Sequence, residues 1–328
     1  MTDTHTGQPY GFSFSDSLLA EVGNVLQSAL HHDADAICRA YEAVVPVAER
    51  LGVDPPQPRL AGFAYNHAST LGAKITFKPD SPEPGISPCI DILEDIDRLT
   101  EPADYLAAGI VPQRLEALRQ LKARRPDAGN HIGHDYEGPI TTAVLLMGQK
   151  FLMLPYDDPV RAHRLLEFCV RSALNYTRIL KEHQNRPTGP QPVGMCDDFG
   201  GMFPPEKFGE FVAPYWEEMY AGQQATDRFL HSELLRREHL PFLTGLKINT
   251  FDPSVDEHIT PEILREDCKV PYMLRIWPAW MQQQSTGELV RLYRRLAGFA
   301  PTHISFSLDR LEDEQKVAAV LEAAREMA

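Results

Sequence analysis

The stretch "DRFLHSELL" at 227–235 sets an imidazole and a carboxylate two positions apart: His231 follows the apolar pair Phe229-Leu230, and Glu233 comes after it. On an extended strand, residues i and i+2 share a face, so both side chains can enter one pocket. A neutral imidazole beside a carboxylate suits either ligation of Zn²⁺ or a proton relay in which the acid orients the ring. A lone histidine is ordinarily a packing residue; the paired spacing is what points to function. A second cluster, Cys196-Asp197-Asp198, precedes Phe199-Gly200-Gly201. Adjacent strand residues point to opposite faces, so one of the two aspartates is expected to face substrate, with the glycines letting a ligand approach the backbone. The other reading, a loop carboxylate capping a helix at 204–224, stands beside it.

Similar polar residues end other apolar stretches. Asp135, Tyr136 and Glu137 follow "HIGH"; Asp252, Asp256 and His258 follow "KINTF"; Arg275 and Trp277 follow "YML"; Asp309 and Arg310 follow "HISFS". Asp252, Asp256 and Asp309 are expected to be helix N-caps in strand-to-helix loops. Of the cysteines, Cys196 alone is expected beside His231. Cys38, Cys169 and Cys268 read as small buried residues.

The elements that must position these groups read as follows. Residues 1–15 look frayed. Two helices lie between Asp16 and Leu51, with Asp16 and Asp33 as caps and Gly52 as the stop. Residues 53–100 are irregular and rich in Pro and Gly, around a strand pair "LAGFAYN" and "AKITFKP" and a short helix "DILEDIDRL". From about 112 the chain alternates helix and strand, and that pattern implies a parallel sheet. About six such units, with the N-terminal part supplying the rest, give a (β/α)₈ barrel over 16–328, with 16–100 as its helical, irregular first part. A doubly wound sheet is the alternative, but no GxGxxG or GxxxxGK[ST] is present. In a barrel the chemistry sits at the C-terminal ends of the strands, where all these polar residues fall.

The chain has 328 residues, 46 acidic against 32 basic, for a formal charge of −14. That balance excludes a protein built to wrap phosphate backbones. Five cysteines without a CxxC pair argue against a disulfide framework and for a reducing compartment. The polar N-terminus does not read as a signal peptide, and no run reaches the ~20 apolar residues of a membrane span. A cytoplasmic protein acting on a small molecule, with a homodimer as one arrangement, is the expectation.

Longer blocks carry a resemblance. "GPITTAVLLMGQKFLMLPYDDPVRAHRLLEFCVRSALNYTRIL", "DDFGGMFPPEKFGEFVAPYWEEMY", "RFLHSELL" and "SPCIDILEDIDRL" resemble blocks of the uroporphyrinogen decarboxylase superfamily across residues 87–310. The resemblance implies the barrel. One branch, the decarboxylases, carries an N-terminal Arg-Gln-Ala-Gly-Arg strand and a C-terminal Gly-His-Gly turn, both absent here. The other is similar to corrinoid-dependent methyltransferases, which present His-x-Cys and a later Cys to zinc. Here His231 keeps its place, Glu233 stands where the Cys would, and no cysteine follows Cys268.

The resemblance therefore implies methyl transfer between a small, methoxylated substrate and a corrinoid. The corrinoid would ride on a partner protein, since no DxHxxG occurs in this chain. His231, Glu233 and Asp198 would be catalytic, and His231, Glu233 and Cys196 would be zinc ligands. Asp135, Tyr136, Asp197, Arg275 and Trp277 would line the substrate site. The alternatives are a decarboxylase acting on a carboxylated tetrapyrrole and a binding protein without chemistry.

Overall fold

The structure is a computed structural model, and it describes residues 10–78, 84–133 and 136–327. Its strands are β1 (Tyr10–Phe14), β2 (Lys74–Thr76), β3 (Gly85–Ser87), β4 (Gln191–Cys196), β5 (Ala225–His231), β6 (Thr250–Asp252), β7 (Leu274–Arg275) and β8 (Ile304–Leu308). Six of them are parallel, in two ladders, β1-β8-β7 and β4-β5-β6. A parallel bridge from Phe251 to Tyr272 joins the ladders, so the six form one succession. Helices separate consecutive parallel strands, the longest being Pro159–His183, which Asp158 caps at Arg161 N.

Burial along these strands has a period of two. In β8, Ile304, Phe306 and Leu308 are buried against helices, while Ser305 and Ser307 are only half-buried. In β4, Val193 and Met195 are buried and Gly194 is exposed. Parallel sheets usually bury both faces. Here the outer face is packed and the inner face is partly open.

A closed eight-stranded ladder was expected, and the described residues do not form one. Two places in the succession are taken by non-strand segments, 58–63 and 129–133, which run side by side in the same direction, with 136–138 beyond the second. Gly129 N donates to Pro58 O at 2.8 Å, and Gly138 N donates to Cys196 O at 2.6 Å, tying 136–138 to β4. Prolines at 55, 56 and 58 have no N–H to offer a ladder. Arg114, fully buried on the helix Val111–Arg124, serves instead. Its guanidinium donates to the carbonyls of His31, Ala61 and Ile132.

Other expectations need correction. Tyr10–Phe14, expected to fray, is a strand in full parallel register with β8, because Tyr10 and Phe12 stack on Phe306. Ser15 rather than Asp16 caps the first helix, whereas Asp33 caps the second. "AKITFKP" pairs with Gly85–Ser87 in a hairpin, not with "LAGFAYN". The helix at 204–224 divides into Pro205–Phe211 and Ala213–Gly222 at Val212, before Pro214. No helix among the described residues is long and apolar enough to cross a membrane.

Candidate active site

Parallel register brings the strand ends into one row: Cys196 pairs with His231, and His231 with Asp252. Paired residues of a parallel ladder point to the same side, so these three face inward with Arg275 of the next strand. His231 Nδ1 lies 2.8 Å from Asp252 Oδ2. Arg275 donates Nε to Asp252 Oδ1 at 3.0 Å and Nη2 to Oδ2. Ser254 N donates to Oδ1 at 2.9 Å. The Asp252 side chain is 0% exposed and that of His231 13%, with His231 Nε2 directed at Asp198 Oδ1, 3.4 Å away.

The electrostatics follow from these contacts. Burial alone would raise the Asp252 carboxyl, but the bonds from His231 and Arg275, with their charges, hold it far below the usual carboxylate range. Burial works against the His231 imidazolium, yet the bond to Asp252 and the charges of Asp252 and Asp198 raise it above its ordinary value. Asp198 is raised in turn, chiefly by burial. The result is a histidine whose protonated form is favoured, oriented by a buried acid, whose Nε2 faces a carboxylate oxygen, Asp198 Oδ1, that accepts no hydrogen bond. That arrangement can deliver or accept a proton at one defined atom.

The two neighbouring aspartates divide their work. Asp197 is fully buried and accepts from Ile140 N, Thr141 N, Thr141 Oγ1 and Trp216 Nε1, at 3.1, 2.7, 2.8 and 2.7 Å. It caps the helix Pro139–Met147 from another strand. Burial pushes it up to about 6, although all four donors favour its charged form. It does not reach the opening. Gly138 makes this contact possible, since a Cβ there would lie 2.5 Å from the Asp197 side chain. Asp198, one residue on, turns to the mouth.

Glu233 stands apart from the expected geometry. β5 ends at His231, so the i, i+2 rule no longer applies. Glu233 lies in the turn, where its charge acts on Asp198 and its side chain makes no hydrogen bond or ion pair among the described residues. The next residue, Leu234, has φ 62° and packs its backbone against Gly201, where a Cβ would come within 2.3 Å.

Tyr136 is buried with its hydroxyl donating to Gly194 O and accepting from Gln223 Nε2, away from the mouth. Trp277 is 52% exposed at the end of β7. Asp135 lies outside the described residues. Asp256 acts as a turn carboxylate, accepting from Leu234, His258 and Ile259 N–H groups.

The donor set does not fit zinc. Among the described residues no three His, Cys, Asp or Glu side chains are placed to hold a metal ion. His231 keeps only Nε2 free of Asp252, and burial pushes the Cys196 thiol up, away from the thiolate a metal needs. The residue that sequence reasoning missed is Asp252, read as a helix cap. The signal was present. "FLH", "TFD" and "MLR" each close an apolar run with an ionisable residue, as adjacent strands ending at one level would.

This chain belongs to the uroporphyrinogen decarboxylase (URO-D) family, whose model matches residues 30–277. That membership gives the molecule its class, a TIM-barrel-like α/β fold. A methyltransferase from Methanosarcina mazei is similar in structure, with a TM-score of 0.72 over 96% of this chain and 91% of that one. At 14% identity this likeness speaks for the fold. No curated protein matches the chain in sequence.

Proposed function

We propose that this protein is an enzyme that removes a methyl group from an oxygen of a small substrate, with His231 as the general acid. The C–O bond breaks and the methyl passes to an external two-electron nucleophile. Nε2–H of His231 protonates the leaving oxygen, and Asp252 holds the ring in the required tautomer. Asp198 accepts a hydrogen bond from the substrate or from Nε2. A corrinoid carried by a second protein, implied by the family resemblance, is the acceptor class this reading names. No zinc enters it, because the donors do not converge on a metal.

The observation that carries the reading is the buried His231–Asp252 pair with Nε2 aimed into the mouth. The test is demethylation of a panel of methyl ethers with a corrinoid acceptor, followed by absorbance. His231→Gln should lower turnover by about 10²–10⁴-fold, the usual worth of a positioned acid. A His231→Gln protein that turns over at the wild-type rate sinks the assignment.

Family membership favours one second reading. The same acid could protonate the carbon left after CO₂ loss from a carboxylated pyrrole. Against it, Arg275, the cation such a carboxylate would seek, is already engaged with Asp252. Release of CO₂ from uroporphyrinogen, without methyl transfer, would select it.

A further inference from the structure

Barrels of this kind are ordinarily filled by layers of bulky side chains. This one is not. On the inward face stand Gly194, one pair below His231, and, on the other ladder, Ser305, Ser307 and Ser13; Gly194 and Ser13 are exposed. A Cβ placed on Gly194 would meet only the Phe229 ring and Cβ, at 3.5 and 4.0 Å. Gly194 is thus exposed with room for a side chain in ordinary contact with Phe229, about two strand residues or ~7 Å beneath the His231 level.

A second observation points to a ligand. Thr250 lies on the same inward face, one pair below Asp252 and opposite Phe229. It is 9% exposed, and its hydroxyl makes no hydrogen bond among the described residues. A buried hydroxyl on the inward face that has no protein partner is a group awaiting one.

Charge narrows the class of occupant. The rim arginines, Arg275 and Arg310, are bound by Asp252 and by Asp313 and Glu312. Asp198, Glu233 and Asp309 form no ion pair with an arginine or lysine among the described residues, so the entrance is negative. A molecule carrying several carboxylates would enter against that field.

Building on the proposed reaction, we infer that the substrate is an elongated, uncharged polar molecule. Its methyl-bearing end sits at His231, and its far end runs down the lumen to Gly194 and the Thr250 hydroxyl. The inner-wall residues Gly194, Ser305 and Thr250 then set how long a substrate is accepted.

The lumen can be probed without knowing the substrate and without turnover. In a Cys196→Ser background, Gly194→Cys is treated with three methanethiosulfonates of equal length: neutral hydroxyethyl, cationic aminoethyl and anionic sulfonatoethyl. Modification at residue 194 is followed by peptide mass. Ser13→Cys serves as the second position should the first variant fail to fold. The neutral and cationic reagents should modify the thiol fully, and the anionic one about tenfold more slowly. A folded variant inert to the neutral reagent means a filled lumen and overturns the inference; equal rates for neutral and anionic reagents overturn its charge class. Because labelling needs no catalysis, a failed methyl-transfer assay leaves this result readable, and a closed lumen leaves the His231 assignment standing.

Discussion

Two arginines are drawn into the interior of this molecule, and their surroundings differ. Arg114 is fully buried and its bonds end on neutral carbonyls of His31, Ala61 and Ile132, with its guanidinium 4.8 Å over the Phe63 ring. Burial lowers it to about 9, and it remains a cation at neutral pH. Arg275 ends on a carboxylate, Asp252, which passes its influence to His231 and so to the mouth. The first network closes on itself and replaces missing ladder bonds. The second is left open at one atom, Nε2. A buried cation held by backbone is architecture; a buried ion pair that terminates in an exposed titratable atom is a device for moving protons.

The sharpest way to break this comparison is to remove Arg114. Arg114→Met keeps the stem but takes the donor from the His31 carbonyl and leaves Ala61 O to His31 Nδ1 at 3.2 Å and Ile132 O to Asn66 Nδ2 at 3.4 Å; with about 1–3 kcal/mol for a buried carbonyl that loses its donor, stability should fall by about 3 kcal/mol. Urea unfolding measures it. A loss under about 1 kcal/mol would mean that water satisfies these carbonyls and that the segments 58–63 and 129–133 are held by something else.

Asp252→Asn comes next. It leaves Arg275 and the His231 imidazolium without their buried counter-charge, so stability should fall by about 3 kcal/mol. The His231 ring should also lose its raised affinity for protons. Titration of its Cε1 proton by NMR would show the midpoint moving to lower pH than in wild type. An unmoved midpoint would assign the elevation to Asp198 instead.

How much of this was legible in the sequence depends on how local the cause is. Asp33 and Asp158 cap the helices that follow them, and the alternation in "ISFSL" is the strand it looks like, because these depend on neighbours along the chain. The same alternation marked the inward face as less packed than the outer one, since Ser305 and Ser307 are half-buried where Ile304, Phe306 and Leu308 are buried. What could not be read was non-local. A turn carboxylate and a strand-end carboxylate look alike, so Asp252 passed for a cap until β5 and β6 were seen side by side. The segments 58–63 and 129–133 do carry strand signals, in "LAGFAYN" and "HIGH", yet neither is a ladder strand, and Arg114, remote in sequence, bonds the Ala61 and Ile132 carbonyls instead. Asp197 and Asp198 are indistinguishable by type; only the helix Pro139–Met147, fifty-odd residues earlier, separates them.

Gly138→Ala tests that separation with a smaller effect. The new Cβ would press on the Asp197 side chain, which is pinned by four donors, at a cost of about 1–3 kcal/mol. The damage should fall on stability, with His231 titrating as before. If the His231 midpoint moves as well, the helix cap and the mouth are coupled and the division between the two aspartates fails.

The smallest effect is one of pH, and it distinguishes the two arginine networks directly. His231 is raised in the folded protein, so its contribution to stability is complete below the unfolded value near ~6.5 and is lost as pH rises through the folded one. Asp252 is lowered, so its contribution is present above the unfolded value near ~3.9 and is lost as pH falls below it. The carbonyls around Arg114 do not titrate, and the cation they hold stays charged throughout this range. Stability measured from pH 6 to 8 should therefore decline on the alkaline side in wild type and in a mild Arg114→Lys variant alike. In His231→Gln that slope should flatten. If the slope survives in His231→Gln, another group carries it, and the proton held at the mouth is not the one bound to Nε2.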